Sequence, residues 1–209
     1  MKYAIRQSGE SRSFPPGDPF LAGAADEADV LILIGAPFAP DEARTAVLVE
    51  LDTECLGVHT GEACGIEGSN ALGFARYRNG NAPPSPLVEL VRQPNTAQSA
   101  IDAARAVFEA AGLTVVVSAD QAGRIIDRLV RPKYNAALRF LDEGLATAKD
   151  MDLTCRLGLG YPDGPIERVE HGGLARHHEI TKALFDVYGT SAYAPARRAV
   201  VAKMRESKR

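Results

Sequence analysis

Residues Arg156–Pro165 read RLGLGYPDGP, and what stands before and after this decapeptide decides how the second half of the chain folds. Its three glycines, two prolines and aspartate admit two readings, a phosphate-cradling loop or a corner between helices. A phosphate loop needs a strand before it and a helix N-terminus after it, so that free backbone N–H groups point at the anion. Here a helical stretch, capped by Thr147 and running to Leu157, enters the glycines instead. Gly158 or Gly160 suits a left-handed C-terminal cap, and Pro162 forbids continuation. PDG then makes a turn, and Pro165 opens a fresh helix. The decapeptide is a helix–turn–helix corner.

Working outward, Gly123–Glu143 reads as one long helix interrupted by Pro132, where a kink is expected. Ile125, Ile126, Leu129, Val130, Ala137, Leu138 and Leu141 spread around it, which implies burial by several neighbours, a second subunit among them. HHEITKALFDVYG and PARRAVVAKMRES are two further helices. Asp163 and Glu167 are expected to cap and solvate helix ends. His177, His178 and Glu179 do not make a metal site, because adjacent helical residues point about 100° apart. They read as solvated helix-face residues.

Before residue 119 the rhythm differs. MKYAIR reads as a short strand, QSGESRSFPPGDPF as loop, and DVLILIG as a strand buried on both faces. PDEAR could open a short helix, and TAVLVELD alternates like a strand while its flanks would allow a helix. ALGFARY and PLVELVR are strands around the turn-rich RNGNAPPS. NTAQSAIDAARAVFEAAG is an amphipathic helix with Asn95 or Thr96 as cap and Gly112 as terminator. LTVVVS closes a strand–helix–strand unit as another buried strand. The expected architecture is α/β over residues 1–118, a truncated Rossmann-like parallel sheet, followed by an all-α domain over 119–209.

Composition narrows the function. A net charge of −3 argues against nucleic acid as the main partner. No apolar run approaches ~18 residues and the N-terminus lacks an apolar signal region, so neither membrane nor secretion is expected and a cytoplasmic location is. Cys55, Cys64 and Cys155 lack CxxC spacing and are expected to be reduced, buried thiols, with no metal site.

The stretch SADQAGRIIDRLVRPKYNAALRFLDEGLATAKDMDLTCRLGLGYPDGPIE resembles the C-terminal domain of 3-hydroxyacyl-CoA dehydrogenases. That family shows D-x-P-G-F-I-V-N-R-L, N-E-A, E-G-[VL]-A-T and R-L-G-L-G-Y-P-x-G-P in this order. PLVELVRQPNT is similar to its K-L-V-E-V-V-R-x-x-x-T, and ADVLILIGAP to its A-D-L-V-I-E-A-V-x-E. The resemblance extends from about residue 28 to 205 and is closest after 85. It implies an acyl-CoA substrate class, an NAD cofactor and a dimer made by the helical domain. It also implies four chemical positions, most of them altered here. The family's histidine falls at Ala75 when LGFARY is aligned, or at Tyr77 counting back from LVEL. The glutamate that orients that histidine is retained as Glu89. The substrate-contacting serine falls at Gly61, and the asparagine of V-N-R-L is Asp127. No G-x-G-x-x-G follows MKYAIR or DVLILIG, so no seat for a dinucleotide pyrophosphate is expected, and with it no cofactor. His59, the only histidine upstream of the helical domain, is a candidate replacement base. Arg76, Arg78 and Arg92 are candidates for a CoA phosphate, against surface arginines as the plainer reading.

The pattern resembles the degenerate second unit of long bacterial 3-hydroxybutyryl-CoA dehydrogenases standing alone, and the close at VVAKMRESKR, without the family's G-R-K-T-G-x-G-F-Y tail, reads the same way. Two functions follow from the resemblance. One is a non-catalytic, homodimeric member that binds acyl-CoA or a dehydrogenase partner. The other is an active NAD-dependent dehydrogenase that works with a partner chain or a replaced base.

Overall fold

The computed structural model describes residues 2–208. It divides into two compact units, one holding residues up to Arg78 with Pro83–Arg124, the other Asn79–Ala82 with Ile125 onward.

The first unit is a six-stranded sheet whose spatial order follows the chain: β1 (Ala4–Gln7), β2 (Val30–Ile34), β3 (Ala46–Glu50), β4 (Ala71–Arg76), β5 (Leu87–Arg92) and β6 (Thr114–Ala119). All pairings are parallel except β4–β5. The sheet is thus mostly parallel, as expected, with one antiparallel pair. The ten residues between Arg76 and Leu87 make a turn-rich return, and the chain comes back antiparallel. β2 and β3 are buried along nearly their whole length, as a two-faced parallel sheet demands. Helix α3 (Gln98–Ala110) packs Ile101, Ala104, Val107 and Phe108 onto one face. The short helices α1 (Pro19–Ala22) and α2 (Gly57–Thr60) sit in the connections.

The Pro/Gly-rich segment after β1 is anchored by its aromatics. Phe14 is fully buried and stacks on Phe20 with ring centroids 4.1 Å apart, and Phe20 stacks on Tyr3 at 4.5 Å. Other local expectations are corrected. PDEAR is a turn closed by Asp41, whose carboxylate accepts from the Ala43 amide and pairs with Arg44. α3 begins after Ala97 with no side-chain cap, because the Thr96 hydroxyl already accepts from the Gln93 amide. β6 is an edge strand in which only Val115 is buried. None of the three cysteines is buried, and Cys64 is exposed in an irregular loop. The first unit runs past Ser118 to Arg124, because the Gly123 amide donates to the Thr53 carbonyl and the Arg124 side chain reaches Asp52 and Glu89.

The second unit comprises α4 (Ile126–Asp142), α5 (Ala148–Leu159), α6 (Pro165–His171), α7 (Leu174–Tyr188), a 3-10 turn over Ser191–Tyr193, and α8 (Arg197–Glu206). α4 continues through Pro132. Its core gathers Tyr134, Ala137, Leu138, Ile166, Val169 and Ala196. Leu138 is therefore satisfied inside its own unit, whereas Leu129 on the same helix and Ile125 just before it remain exposed. No helix among the described residues is long and apolar enough to cross a membrane.

The corner RLGLGYPDGP has the expected logic with one addition. Thr147 caps α5, accepting from the Asp150 amide, and Gly160 ends it in the left-handed conformation at φ 69°. Pro165 takes the first position of α6. The true cap of α6 is Asp152, whose two carboxylate oxygens accept from the Ile166 and Glu167 amides at 2.8 and 3.1 Å. Asp163 and Glu167 instead pair with Arg168 and Arg156.

Candidate functional site

The residues read as chemically important in the first unit gather around the antiparallel β4–β5 pair. Ala75 lies directly opposite Glu89 in the register. Opposed residues of an antiparallel pair bring their Cβ atoms to about 5 Å, so an imidazole at 75 would touch the acid. No such ring is present. Instead Arg124 turns its guanidinium inward, with Nε 3.6 Å from a Glu89 carboxylate oxygen and Nη2 donating to the Asp52 carbonyl. Both side chains of the pair are only 4% exposed. The backbone adopts two successive left-handed residues to deliver it, Gly123 at φ 70° and Arg124 at φ 48°, a conformation a non-glycine residue rarely takes. Arg124 was not singled out in the sequence, although it was legible there: it occupies the phenylalanine position of the quoted D-x-P-G-F motif.

The loops beside this pair are fastened to one another. Asp120 accepts from the Leu56 and Gly57 amides at 2.6 and 2.8 Å, and buried Gln93 donates to the Thr60 hydroxyl at 2.9 Å. Gly61 ends α2 at φ 84°, where it serves backbone geometry. His59 pairs with Glu54 at 3.3 Å, so the charge beside it is Glu54 rather than Glu89. Arg76 is no surface residue: its side chain is 9% exposed and its donors are taken up by the Ser13 and Ser85 carbonyls and Asp18. Arg92 makes one long contact to the Gln93 carbonyl, and the Arg78 carbonyl receives Arg12.

At the C-terminal ends of β2 and β3 a cleft of about 570 Å³ is lined by Glu10, Glu50, Asp52 and Glu54, with Arg12 and His59 as its cationic or titratable members. The loop after β1 lies across its mouth. Ser8 donates to the Gly35 carbonyl, and Glu50 accepts from the Ser11 hydroxyl and the Ser13 amide. In doubly wound sheets, nucleotides bind where the strand order reverses. The order here runs β1 to β6 without reversal. An acid-lined cleft also repels the phosphates of a dinucleotide or of CoA.

In the second unit, Asp127 is engaged by Arg131 one turn on, at 2.7 Å. Arg131 continues to His177, and His177 to Asn135, which bonds Thr181 and the Ala192 carbonyl. Because Asn135 uses its amide nitrogen as donor to those two partners, its oxygen faces His177 Nε2, which therefore carries the proton. Nδ1 accepts from Arg131. His177 is 1% exposed, which corrects its reading as a solvated residue: its helix turns it onto α4, not to water. Burial, and then the neighbouring Arg131, hold its pKa down at about 3.

This network predicts an acid lability with a definite sign. The folded state resists protonating His177 while the unfolded chain takes up the proton near 6.5. The stability is complete above about pH 6.5 and is lost as pH falls toward 3, with a slope approaching ~1.4 kcal/mol per unit. Urea unfolding at pH 7, 5.5 and 4 is expected to show wild type losing about 3 kcal/mol more than His177→Gln, which keeps a donor to Asn135. Parallel pH dependences for the two proteins would contradict it.

Residues 123–209 match the family model for the 3-hydroxyacyl-CoA dehydrogenase C-terminal domain. The human mitochondrial hydroxyacyl-coenzyme A dehydrogenase is 34% identical over 104 residues, covering 50% of this chain and 32% of that protein. A 3-hydroxybutyryl-CoA dehydrogenase of Mycobacterium tuberculosis is 34% identical over 116 residues, 54% of this chain and 40% of that one. The matched part thus spans about a third of the length of the human relative and two fifths of the mycobacterial one. Among solved structures, M. tuberculosis FadB2 superposes with a TM-score of 0.71 over 87% of this chain and 67% of its own, at 21% identity, a likeness of fold. The Escherichia coli 3-hydroxybutyryl-CoA dehydrogenase aligns at 0.59 over 77% of this chain and 32% of its own, at 25% identity. That partial coverage fits a truncated unit.

Proposed function

We propose that this chain, whose helical half belongs to the 3-hydroxyacyl-CoA dehydrogenase family, serves acyl-CoA metabolism without hydride transfer of its own, as a dimerising protein that binds an acyl-CoA or a dehydrogenase partner. The observation that carries this reading is the Ala75–Glu89–Arg124 arrangement. A glutamate that would orient an imidazole faces a methyl group, and a buried guanidinium neutralises it. A general base must lie within hydrogen-bond reach of the proton it takes, and neither Ala75 nor an ion-paired Glu89 can serve. The sequential strand order and the acid-lined cleft support the absence of a bound dinucleotide.

A second copy is the proposed dimer partner, through α5. That helix buries only Asp152 in its own unit, while Leu153, Leu157 and Leu159 stand 47%, 79% and 62% exposed. Leucines so placed on one short helix suit an apolar interface core.

Titration of the purified chain with NADH and, separately, acetoacetyl-CoA tests the reading. Heat of binding with the thioester and unchanged nicotinamide fluorescence are the expected results, together with a dimer in sedimentation that Leu157→Asp dissociates. NADH oxidation by the chain alone, in the presence of acetoacetyl-CoA, would overturn it.

A further inference from the structure

The corner RLGLGYPDGP builds a second chemical environment that the dehydrogenase reading does not use. Lys133, one residue after the helix-interior Pro132, projects from α4 toward this corner. Its ammonium nitrogen lies 4.3 Å from the centre of the Tyr161 ring and 5.5 Å from that of Tyr134. Among the described residues it makes no hydrogen bond and no ion pair. Lys182 and Lys203 of the same unit differ: Lys182 is paired with Asp186, and Lys203 with Glu179 and Glu206.

The charged and ionisable groups acting on Lys133 come from α6 and α5. Arg168 on α6 repels it, and Arg168's own carboxylate partner is Asp163 at 2.6 Å. Cys155 on α5 is half-buried and would favour the ammonium only if ionised. The tyrosine faces favour a cation modestly. Burial and Arg168 prevail, and the amine's pKa lies below the ordinary lysine range. A half-buried lysine lacking a carboxylate partner and set beside another cation is the environment in which an amine becomes nucleophilic.

We propose that Lys133 is an acylation site that reacts with acyl thioesters. The unprotonated amine attacks the thioester carbonyl carbon, the carbon–sulfur bond breaks, and the thiolate departs and takes up the proton that the nitrogen sheds. The products are an amide on Lys133 and a free thiol, with no oxidant or reductant required. That the donor in the cell is an acyl-CoA rests on the function proposed above. The reactivity of the amine does not, and the two are tested apart.

The probe is the acetyl thioester of N-acetylcysteamine, which has no nucleotide and so reports the amine without acyl-CoA recognition. The full chain is incubated with it at pH 7.5, and acetylation of each lysine is followed by peptide mass spectrometry. Lys133 is expected to react about tenfold faster than exposed Lys149, because a pKa below the ordinary lysine range raises the fraction of unprotonated amine. Arg168→Gln is expected to reduce the Lys133 rate several-fold while leaving that of Lys149 unchanged. Equal rates at Lys133 and Lys149 in the folded wild-type chain would overturn the proposal, whatever acetoacetyl-CoA does in the calorimeter. So would an Arg168→Gln protein in which Lys133 reacts as fast as before.

Discussion

Gly164→Ala is expected to destabilise the helical unit by about 3 kcal/mol or more, the scale of a core site in which a new methyl forces out a buried polar group. The backbone at 164 has φ −74° and ψ 153°, which alanine adopts freely, so the penalty is not one of dihedral strain. It is steric and electrostatic. A Cβ built there would lie 2.1 Å from Asp152 Cγ and 2.2 Å from its Cβ and Oδ1, far inside contact distance. The Asp152 side chain would have to leave, and it is the group that satisfies the first amides of α6. Ile166 is buried, so its N–H would lose its acceptor in a place water does not replace. Gly158, two residues before the left-handed cap, is the internal control. Nothing lies within 4 Å of its Cβ position, and it is helical. Gly158→Ala should be neutral or stabilising by up to about 1 kcal/mol. Urea denaturation of both variants checks this, and similar midpoints for the two would refute the assignment of Asp152 as the cap that Gly164 protects.

The second large effect concerns the neutralised acid. Arg124→Leu leaves Glu89 buried without its guanidinium, and Glu89→Leu leaves the Arg124 cation buried without its carboxylate. Each single change is expected to cost about 3–5 kcal/mol, because an uncompensated buried charge is far more expensive than the pair is favourable. The double variant Glu89→Leu/Arg124→Leu should recover most of that loss, because it removes both charges together. Chemical denaturation of the four proteins gives the cycle. Additive losses would mean that the two side chains are not coupled, and the claim that Arg124 neutralises the acid would fall with them. A guanidinium held this way also explains why a glutamate persists at 89 in a chain with alanine opposite. Once the pair forms, losing either member is worse than keeping both.

Much of this architecture was readable in the chain. The apolar run of DVLILIG needed both faces covered, and it is a central strand with both faces buried. The amphipathic period of residues 98–110 placed α3 on the sheet. In the decapeptide, the αL glycine at 160 and the proline at 165 stopped one helix and started the next, as local sterics require. The family resemblance, carried by motifs in a fixed order, falls on the helical half, where the family model matches residues 123–209. Local rules misled where a side chain had a better offer from elsewhere. Thr96 was an apt cap for α3 but is bonded to Gln93, and His177 looked solvated because the residues around it on α7 are polar.

What the linear order of residues determined by itself was therefore the kind of each main segment and where most of them stop, since helix caps, proline geometry and hydrophobic period act over a few residues. Only the tertiary structure decided which distant groups meet: Arg124 on Glu89, Asp152 on the amides of α6, His177 between Arg131 and Asn135, and Lys133 against Tyr161. These contacts join residues from 14 to 46 positions apart. Their partners are chosen by which elements pack, and by the cost of leaving a buried charge or N–H unanswered once they do.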